Sequence, residues 1–219
     1  MDVFLCKDMT VLLNTSPRNL GNMRISVAGN MGAGKSSTLH ALEMRDYPCV
    51  PEPVDAWSEW LTDFYQDPNR HAFSFQTKIL YDFFRLRKNT SDGCTWIIER
   101  SPLESKVVFG AMVSMDEKHE QLYDDLYREL AWEPDFILYL RTDPETAYRR
   151  VQNRNRASET NVSFEYIQDL HDKYETFART QTRYRPVVTI DASQDFASVL
   201  GDVLLILNTI HDPLRYSMP

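Results

Sequence analysis

Cysteine, positive charge and long apolar runs are all scarce in this chain. Only Cys6, Cys49 and Cys94 occur among its 219 residues. An odd number without metal-ligand spacing excludes a disulfide framework and a zinc site, and it fits a reducing, intracellular, cytoplasmic setting. No apolar run approaches the roughly 18 residues of a membrane span. Asp2 and Asp8 suit neither a signal peptide nor an acid-poor transit peptide. Lysine and arginine number 24 against 32 acidic residues, a net charge of −8. Such a surface excludes a broad electrostatic grip on nucleic acid. Neither a nucleic-acid nor a membrane partner is expected. Repeats and low-complexity tracts are also missing, and the five histidines show no ligand spacing.

What is present is one domain's worth of alternating short apolar runs and longer helical patterns, the reading of a parallel sheet with crossover helices. Strands are expected at Ile25-Ser26-Val27-Ala28, around Cys49-Val50, at Trp96-Ile97-Ile98, at Phe136 to Leu140 and at Val187 to Ile190. Helices are expected over about 35–45, 55–66, 70–89, 102–115, 119–132, 144–156, 163–184 and 194–210. Asp143-Pro144 pairs a cap with an N1 proline, and Ser163 is a further cap. The fold class is α/β, a three-layer phosphate-loop fold with a five-stranded parallel sheet flanked by helices. The domain is expected over 24–211, with an N-terminal extension at 1–23 and a tail at 212–219.

The strongest signal is Gly29-Asn30-Met31-Gly32-Ala33-Gly34-Lys35-Ser36, which fits GxxxxGK[S/T] between a strand and a helix. Glycines let backbone N–H groups wrap a phosphate, and the helix N-terminus adds positive potential. Lys35 reaches the outer phosphates and Ser36 offers a hydroxyl to Mg²⁺. Ser37 opens the following helix. A nucleoside triphosphate and Mg²⁺ are therefore the expected cofactors.

In such a sheet, ligands lie beyond the carboxyl ends of the strands. Glu52, stiffened between Pro51 and Pro53, ends the second strand. It suits a base acting on a hydroxyl, whereas a phosphate acceptor would be repelled. The alternative is a surface glutamate in a proline turn. Glu99-Arg100 ends the third strand, where an acidic residue can hold the Mg²⁺ shell and a guanidinium can meet an oxyanion. A structural ion pair is the alternative there. Arg149, Arg150, Arg154 and Arg156 form a basic block in an acidic chain. Arg150 and Arg154 share a helix face and can close over a triphosphate as a short arginine-rich lid, or form a solvated cationic face. Gln76, in an aromatic helix with Tyr65 upstream, carries an amide that can pair with a pyrimidine edge in either orientation, and Phe109 can cover the base. Core aromatics and a surface glutamine are the alternative.

Taken together, Gly29 to Thr38, Glu52-Pro53-Val54 with Trp57, Phe73-Ser74-Phe75-Gln76-Thr77, Glu99-Arg100-Ser101 and Leu140 to Glu145 leading to Arg150, Arg154 and Arg156 resemble the deoxynucleoside kinases. This group contains the deoxycytidine, deoxyguanosine and mitochondrial thymidine kinases. The resemblance runs from about Arg24 to Phe196. It implies transfer of the γ-phosphoryl of ATP to the 5′-hydroxyl of a deoxynucleoside, with Glu52 as base and Arg100 steadying it. Lys35, Ser36 and Glu99 would handle phosphates and Mg²⁺, and Arg150, Arg154 and Arg156 would form the lid. Tyr65 and Glu159 fall where the family binds the 3′-hydroxyl, Gln76 and Phe109 where it reads and stacks the base, and Trp57 where it lines the pocket. Asp195-Phe196 corresponds to the loop beside the donor base. A homodimer is implied.

Departures from the family pattern carry information. Members favouring cytosine or purines have an arginine and an aspartate where this chain has Phe83 and Ser105. Losing that charged pair opens apolar space that suits thymine. Thymidine is the expected substrate, with deoxycytidine also accommodated by the Gln76 amide. Ser158 stands beside Glu159 where relatives often have two glutamates. The rival reading is a thymidylate-type monophosphate kinase, but Pro51 occupies the place where those proteins put an acceptor-binding arginine. A regulatory nucleotide-binding module is the alternative of another class, and the NKxD motif of a GTPase switch is missing.

Overall fold

A computed structural model describes residues 23–90, 93–156, 159 and 162–211. The extension at 1–23, save Met23, the tail at 212–219 and Ser158 lie outside them. The described chain runs β1 (Arg24–Ala28), α1 (Lys35–Glu43), β2 (Cys49–Val50), a 3-10 turn (Val54–Trp57), α2 (Ser58–Gln66) and α3 (Pro68–Asn89). It continues with β3 (Trp96–Glu99), α4 (Pro102–Glu104), a π turn (Ser105–Phe109) and a 3-10 turn (Gly110–Met112). Then follow α5 (Glu117–Leu130), β4 (Phe136–Arg141), α6 (Pro144–Arg154), α7 (Phe164–Gln181), β5 (Val187–Asp191) and α8 (Phe196–His211).

The helix starts have local causes. Asp143 accepts a hydrogen bond from the Thr146 N–H at 2.7 Å, with Pro144 at N1, and Ser163 accepts from the Tyr166 N–H at 3.2 Å. Asp67-Pro68 repeats the first device and starts α3 two residues before the expected 70, with Asp67 accepting from the Arg70 N–H at 3.2 Å. The helix expected over 102–115 is not uniform. It passes from α through π to 3-10 winding, and the π turn carries Ser105 and Phe109. Such widened turns recur at functional sites because they redirect side chains within a helix.

The five strands are parallel in the order β2-β3-β1-β4-β5, as the α/β expectation requires. Alternation along the strands divides the core into two faces. Ile25, Val27, Phe136, Leu138 and Leu140 meet α1 and α8 through Leu39, Leu42, Val203 and Leu207. Ala28, Ile137 and Tyr139 meet α6 and α7 through Val151, Ile167, Leu170 and Tyr174. Ile98 joins an aromatic cluster of Trp57, Phe64, Phe75, Phe83 and Trp132 on α2, α3 and their neighbours. Helices thus cover both sheet faces, giving three layers.

The order also explains the site's location. After β1 the chain crosses to β2, returns to β3 beside β1, and then moves to β4 on the other side. The carboxyl end of β1 is the switch point of the sheet, where a crevice forms between diverging connections. Val27 of β1 is in register with Glu99 of β3, and the Arg100 N–H donates to the Val27 carbonyl at 3.1 Å. The loops carrying the phosphate motif, Glu52 and Glu99-Arg100 therefore leave the sheet side by side. Among the described residues no helix is long and apolar enough to cross a membrane.

Candidate active site

The phosphate loop owes its shape to three positive-φ glycines, Gly29, Gly32 and Gly34. A Cβ on Gly32 would lie 2.4 Å from the Ala147 carbonyl oxygen of α6, and one on Gly29 would lie 2.7 Å from the Leu140 oxygen of β4. Gly34 has open space around it. Asn30 fastens the loop to α7 through a 2.8 Å bond from its Nδ2 to the Ile167 oxygen, and its Oδ1 accepts from the Met31 N–H at 2.7 Å. Ala33 is buried in the core. Lys35 Nζ donates to the Gly29 and Asn30 carbonyls at 3.0 and 2.9 Å. Burial, reinforced by nearby Arg100, lowers its pKa to about 8. Its charge is thus costly until an anion arrives.

Ser36 Oγ donates to Glu99 Oε1 at 2.9 Å. A hydroxyl and a carboxylate so placed form a hard-oxygen pair fitting a divalent ion that draws its other ligands from phosphates and water. Glu99 Oε2 accepts from the Glu52 N–H at 3.4 Å. Glu52 pairs with Arg100 Nη1. Arg100 is a non-glycine residue at φ +63°, a conformation that persists only where its surroundings over-determine it. Burial opposes its charge, but Glu52, Tyr174, Glu104 and Glu99 outweigh burial and hold its pKa well above the usual guanidinium value. Its guanidinium carbon lies 4.7 Å from the centre of the Phe109 ring.

A cavity of about 330 Å³ opens from this cluster, within the size range of small-molecule sites. Met31, Gly32, Gly34, Lys35, Ser36, Ser37, Glu52, Glu99, Arg100, Arg154, Arg156 and Glu159 line its charged end. Val54, Trp57, Leu61, Phe64, Tyr65, Phe75, Gln76, Ile79, Ser105, Phe109 and Tyr166 line the rest. Gln76 is 1% exposed, and its Oε1 is buried without a hydrogen-bond partner. An unpaired buried amide oxygen is costly, and a ligand donor relieves it. Tyr65 is held protonated above the usual phenol range by burial, then by Tyr166 and Glu159.

Some expected site residues lie elsewhere. Phe83 is not among the residues lining the cavity. It packs edge-on against Trp57 and Trp132, with centroids 6.5 and 6.0 Å away. Seven residues beyond Gln76, it stands about 10 Å further along the helix axis, and its neighbour Trp57 lines the cavity. Arg150 does not line the cavity either. It donates to the Ala192 and Gln194 carbonyls at 2.7 and 3.2 Å and approaches the Gly32 carbonyl at 3.5 Å, tying the phosphate loop to the β5–α8 connection. In that connection Asp195 caps α8 through the Ser198 N–H at 3.1 Å, and Phe196 is exposed. Arg154 grips Glu159 through two nitrogens at 2.6 to 3.1 Å, and Arg156 reaches it at 3.4 Å.

Glu104 and Tyr174 were not legible as site residues. Glu104 is fully buried, pairs with Arg100 Nε at 3.3 Å and accepts from the Tyr174 hydroxyl at 2.5 Å. Burial pushes its carboxyl up to about 7, against the pull of Arg100, Tyr174 and Lys35. Glu104 follows the Glu99-Arg100-Ser101 motif with no motif of its own, and Tyr174 lies 70 positions away. Only the fold joins them.

Comparison with known proteins agrees with this geometry. The model of a family described as deoxynucleoside kinase matches residues 25–212. The chain is similar to a protein of fowlpox virus named probable deoxycytidine kinase, 30% identical over 210 residues that cover 86% of this chain and 87% of the relative. It is likewise similar to the thymidine kinase of Ictalurid herpesvirus 1, 30% identical over 210 residues covering 86% and 87%. Among solved structures, the deoxyadenosine kinase of M. mycoides with bound dCTP matches with a TM-score of 0.72 and 26% identity, covering 85% of this chain and 100% of that one.

Proposed function

The chain belongs to the deoxynucleoside kinase family, and within that family we propose that it transfers the γ-phosphoryl group of ATP to the 5′-hydroxyl of a pyrimidine deoxynucleoside, with thymidine preferred. The observation that carries this reading is one cavity bordered by the phosphate loop, by the Glu52–Arg100 pair and by the unpartnered Gln76 amide. The relatives named above span cytosine, thymine and adenine nucleosides, so the base must be argued from this chain's own residues.

At the charged end, Lys35 and the loop N–H groups hold the phosphates in line with the acceptor. Ser36 and Glu99 would hold Mg²⁺, which would supply charge neutralisation to the phosphates. Glu52 accepts a hydrogen bond from the 5′-hydroxyl and takes its proton as the bond to phosphorus forms. Arg100 holds Glu52 in place and presents positive charge to the reacting oxygens. Arg154 and Arg156 transfer some of their bonding from Glu159 to phosphate oxygens, while Glu159 and Tyr65 bind the 3′-hydroxyl.

At the other end, Trp57, Phe75, Ile79 and Phe109 offer apolar walls, and the charged lining residues are the ones this reading assigns to phosphate and sugar. Gln76 Oε1 accepts the N3–H of thymine. Turned over, the same amide donates to N3 of cytosine, so deoxycytidine is a second substrate. Ser105 leaves room for a methyl group. Family membership favours a homodimer, and the sparse cysteines, odd in number, favour a reducing, cytoplasmic setting.

Steady-state rates with thymidine, deoxycytidine, deoxyadenosine, deoxyguanosine and thymidine monophosphate test the reading. Thymidine is expected to give the highest kcat/KM and the monophosphate none. A purine preference overturns the base assignment, and phosphorylation of the monophosphate alone overturns the choice of acceptor.

A further inference from the structure

Arg100 is held from more sides than its pairing with Glu52 requires. Nη1 meets Glu52, Phe109 lies beneath the guanidinium, and Nε points to Glu104 at 3.3 Å and to the Tyr174 hydroxyl at 3.4 Å. Tyr174 in turn donates to Glu104 at 2.5 Å and stacks on Tyr139 with ring centroids 6.0 Å apart. Glu104 itself is the last residue of the short α4, and its N–H donates at 3.3 Å to the Ser101 hydroxyl that caps the helix. Among the described residues, Nη2 is the guanidinium nitrogen left without a hydrogen bond.

A second buried carboxylate here is poor for stability. Glu52 already compensates the Arg100 charge, and Glu104 Oε2 is buried without a partner. Fully buried ionic groups of this kind usually cost more than an apolar replacement would. What Glu104 adds is geometric. Glu52 alone fixes one nitrogen of a planar group that can still pivot about it, whereas a second anchor on Nε fixes the plane. Reacting-group geometry tolerates little drift before rate is lost.

We propose that Glu104, seated by Tyr174, is a positioning residue for phosphoryl transfer: it fixes the plane of the Arg100 guanidinium so that its Nη edge stays on Glu52 and the reacting oxygens. This rests on the deoxynucleoside kinase reading above. The groups around Glu104 are Arg100 just after β3, Lys35 from α1, Glu52 after β2 and Tyr174 from α7. Of these, Tyr174 alone also reaches Arg100 Nε, at 3.4 Å, and its hydroxyl proton goes to Glu104, so Glu104 and Tyr174 meet Nε together.

The test is a comparison of Glu104→Gln and Tyr174→Phe with the parent, and of Glu104→Gln in an Arg100→Lys background. Glu104→Gln keeps the shape and removes the charge. Its kcat at saturating thymidine is expected to fall about 10- to 100-fold, the usual worth of a charged hydrogen bond. KM for thymidine should move less than about threefold, since ground-state binding is untouched. Tyr174→Phe should give the same pattern with a smaller loss, so the proposal stays testable where the glutamine variant folds poorly. In the Arg100→Lys background, which has no Nε donor of this geometry, Glu104→Gln should cost nothing further. Parent-like kcat in folded Glu104→Gln overturns the proposal, as does a rise in KM together with a lower melting temperature in both single variants. So does a full additional loss in the lysine background. A parent inactive on every deoxynucleoside overturns the functional reading and the proposal with it, whereas an active parent with an unaffected Glu104→Gln overturns the proposal alone.

Discussion

Replacing Gly32 and Gly34 separately by alanine distinguishes two reasons for glycine in the phosphate loop. Both have left-handed backbone, φ +75° and +90°. Each alanine therefore carries a conformational cost of about 1–2 kcal/mol. They differ in what the new methyl meets. At Gly34 nothing lies within 4 Å, but at Gly32 the Cβ would sit 2.4 Å from the Ala147 oxygen and 3.1 Å from its carbon. These are rigid helix backbone atoms of α6. Reaching an ordinary 3.4 Å contact requires loop and helix to part by about 1 Å, a distortion of the kind that costs about 1–3 kcal/mol when a packed interior is overfilled. Gly34→Ala should thus lose about 1–2 kcal/mol, and Gly32→Ala about 2–5 kcal/mol. Urea unfolding with fitted slopes reads the difference. Moving α6 also disturbs Arg150, which ties the loop to Ala192, so Gly32→Ala should weaken ATP binding as well. Equal midpoints for the two variants, or the greater loss at Gly34, would refute the claim that the loop is seated directly on α6.

Two further perturbations probe the ends of the cavity. Burial, reinforced by Arg100, lowers the Lys35 pKa to about 8 in the empty protein, so above that pH part of the population is neutral. A triphosphate beside it favours the ammonium form and raises the pKa. ATP binding at a pH of about 8.5 should then take up a substantial fraction of a proton, whereas below about pH 7 this group contributes none. Calorimetry in two buffers of different ionisation enthalpy measures it, and proton release at the higher pH contradicts the sign. Gln76→Leu removes the orphaned amide oxygen. The empty protein should be as stable as the parent or up to about 1 kcal/mol more stable, while kcat/KM for thymidine drops about 10- to 100-fold. Loss of stability without loss of thymidine use would show that the amide serves the core.

Elements were more legible in the sequence than arrangement. The apolar runs ending at Ala28, Ile98 and Leu140 marked strands because buried parallel strands are apolar on both faces. Asp143-Pro144 marked a helix start by capping chemistry, and Asp67-Pro68 carried the same signal at the start of α3. Strand order was not legible, because which runs pair depends on contacts between distant segments. The charged half of the site followed from motifs at strand ends, since the fold places those ends together. Phe83 shares a helix face with Gln76 in projection. It packs against Trp57, which lines the cavity while Phe83 does not, and periodicity gives no warning of that. The Glu104–Tyr174 support behind Arg100 was invisible for the same reason, being a contact between α4 and α7 with no spacing to announce it.

The central claim is that Glu52, held by Arg100 beside the phosphate loop, serves transfer to a deoxynucleoside hydroxyl. The most direct measurement is kcat of Glu52→Gln with saturating thymidine and ATP. The substitution keeps the shape and removes the proton acceptor, so kcat should fall about 10²- to 10⁴-fold while the melting temperature stays close to that of the parent. A folded variant that retains the parent kcat would contradict the account.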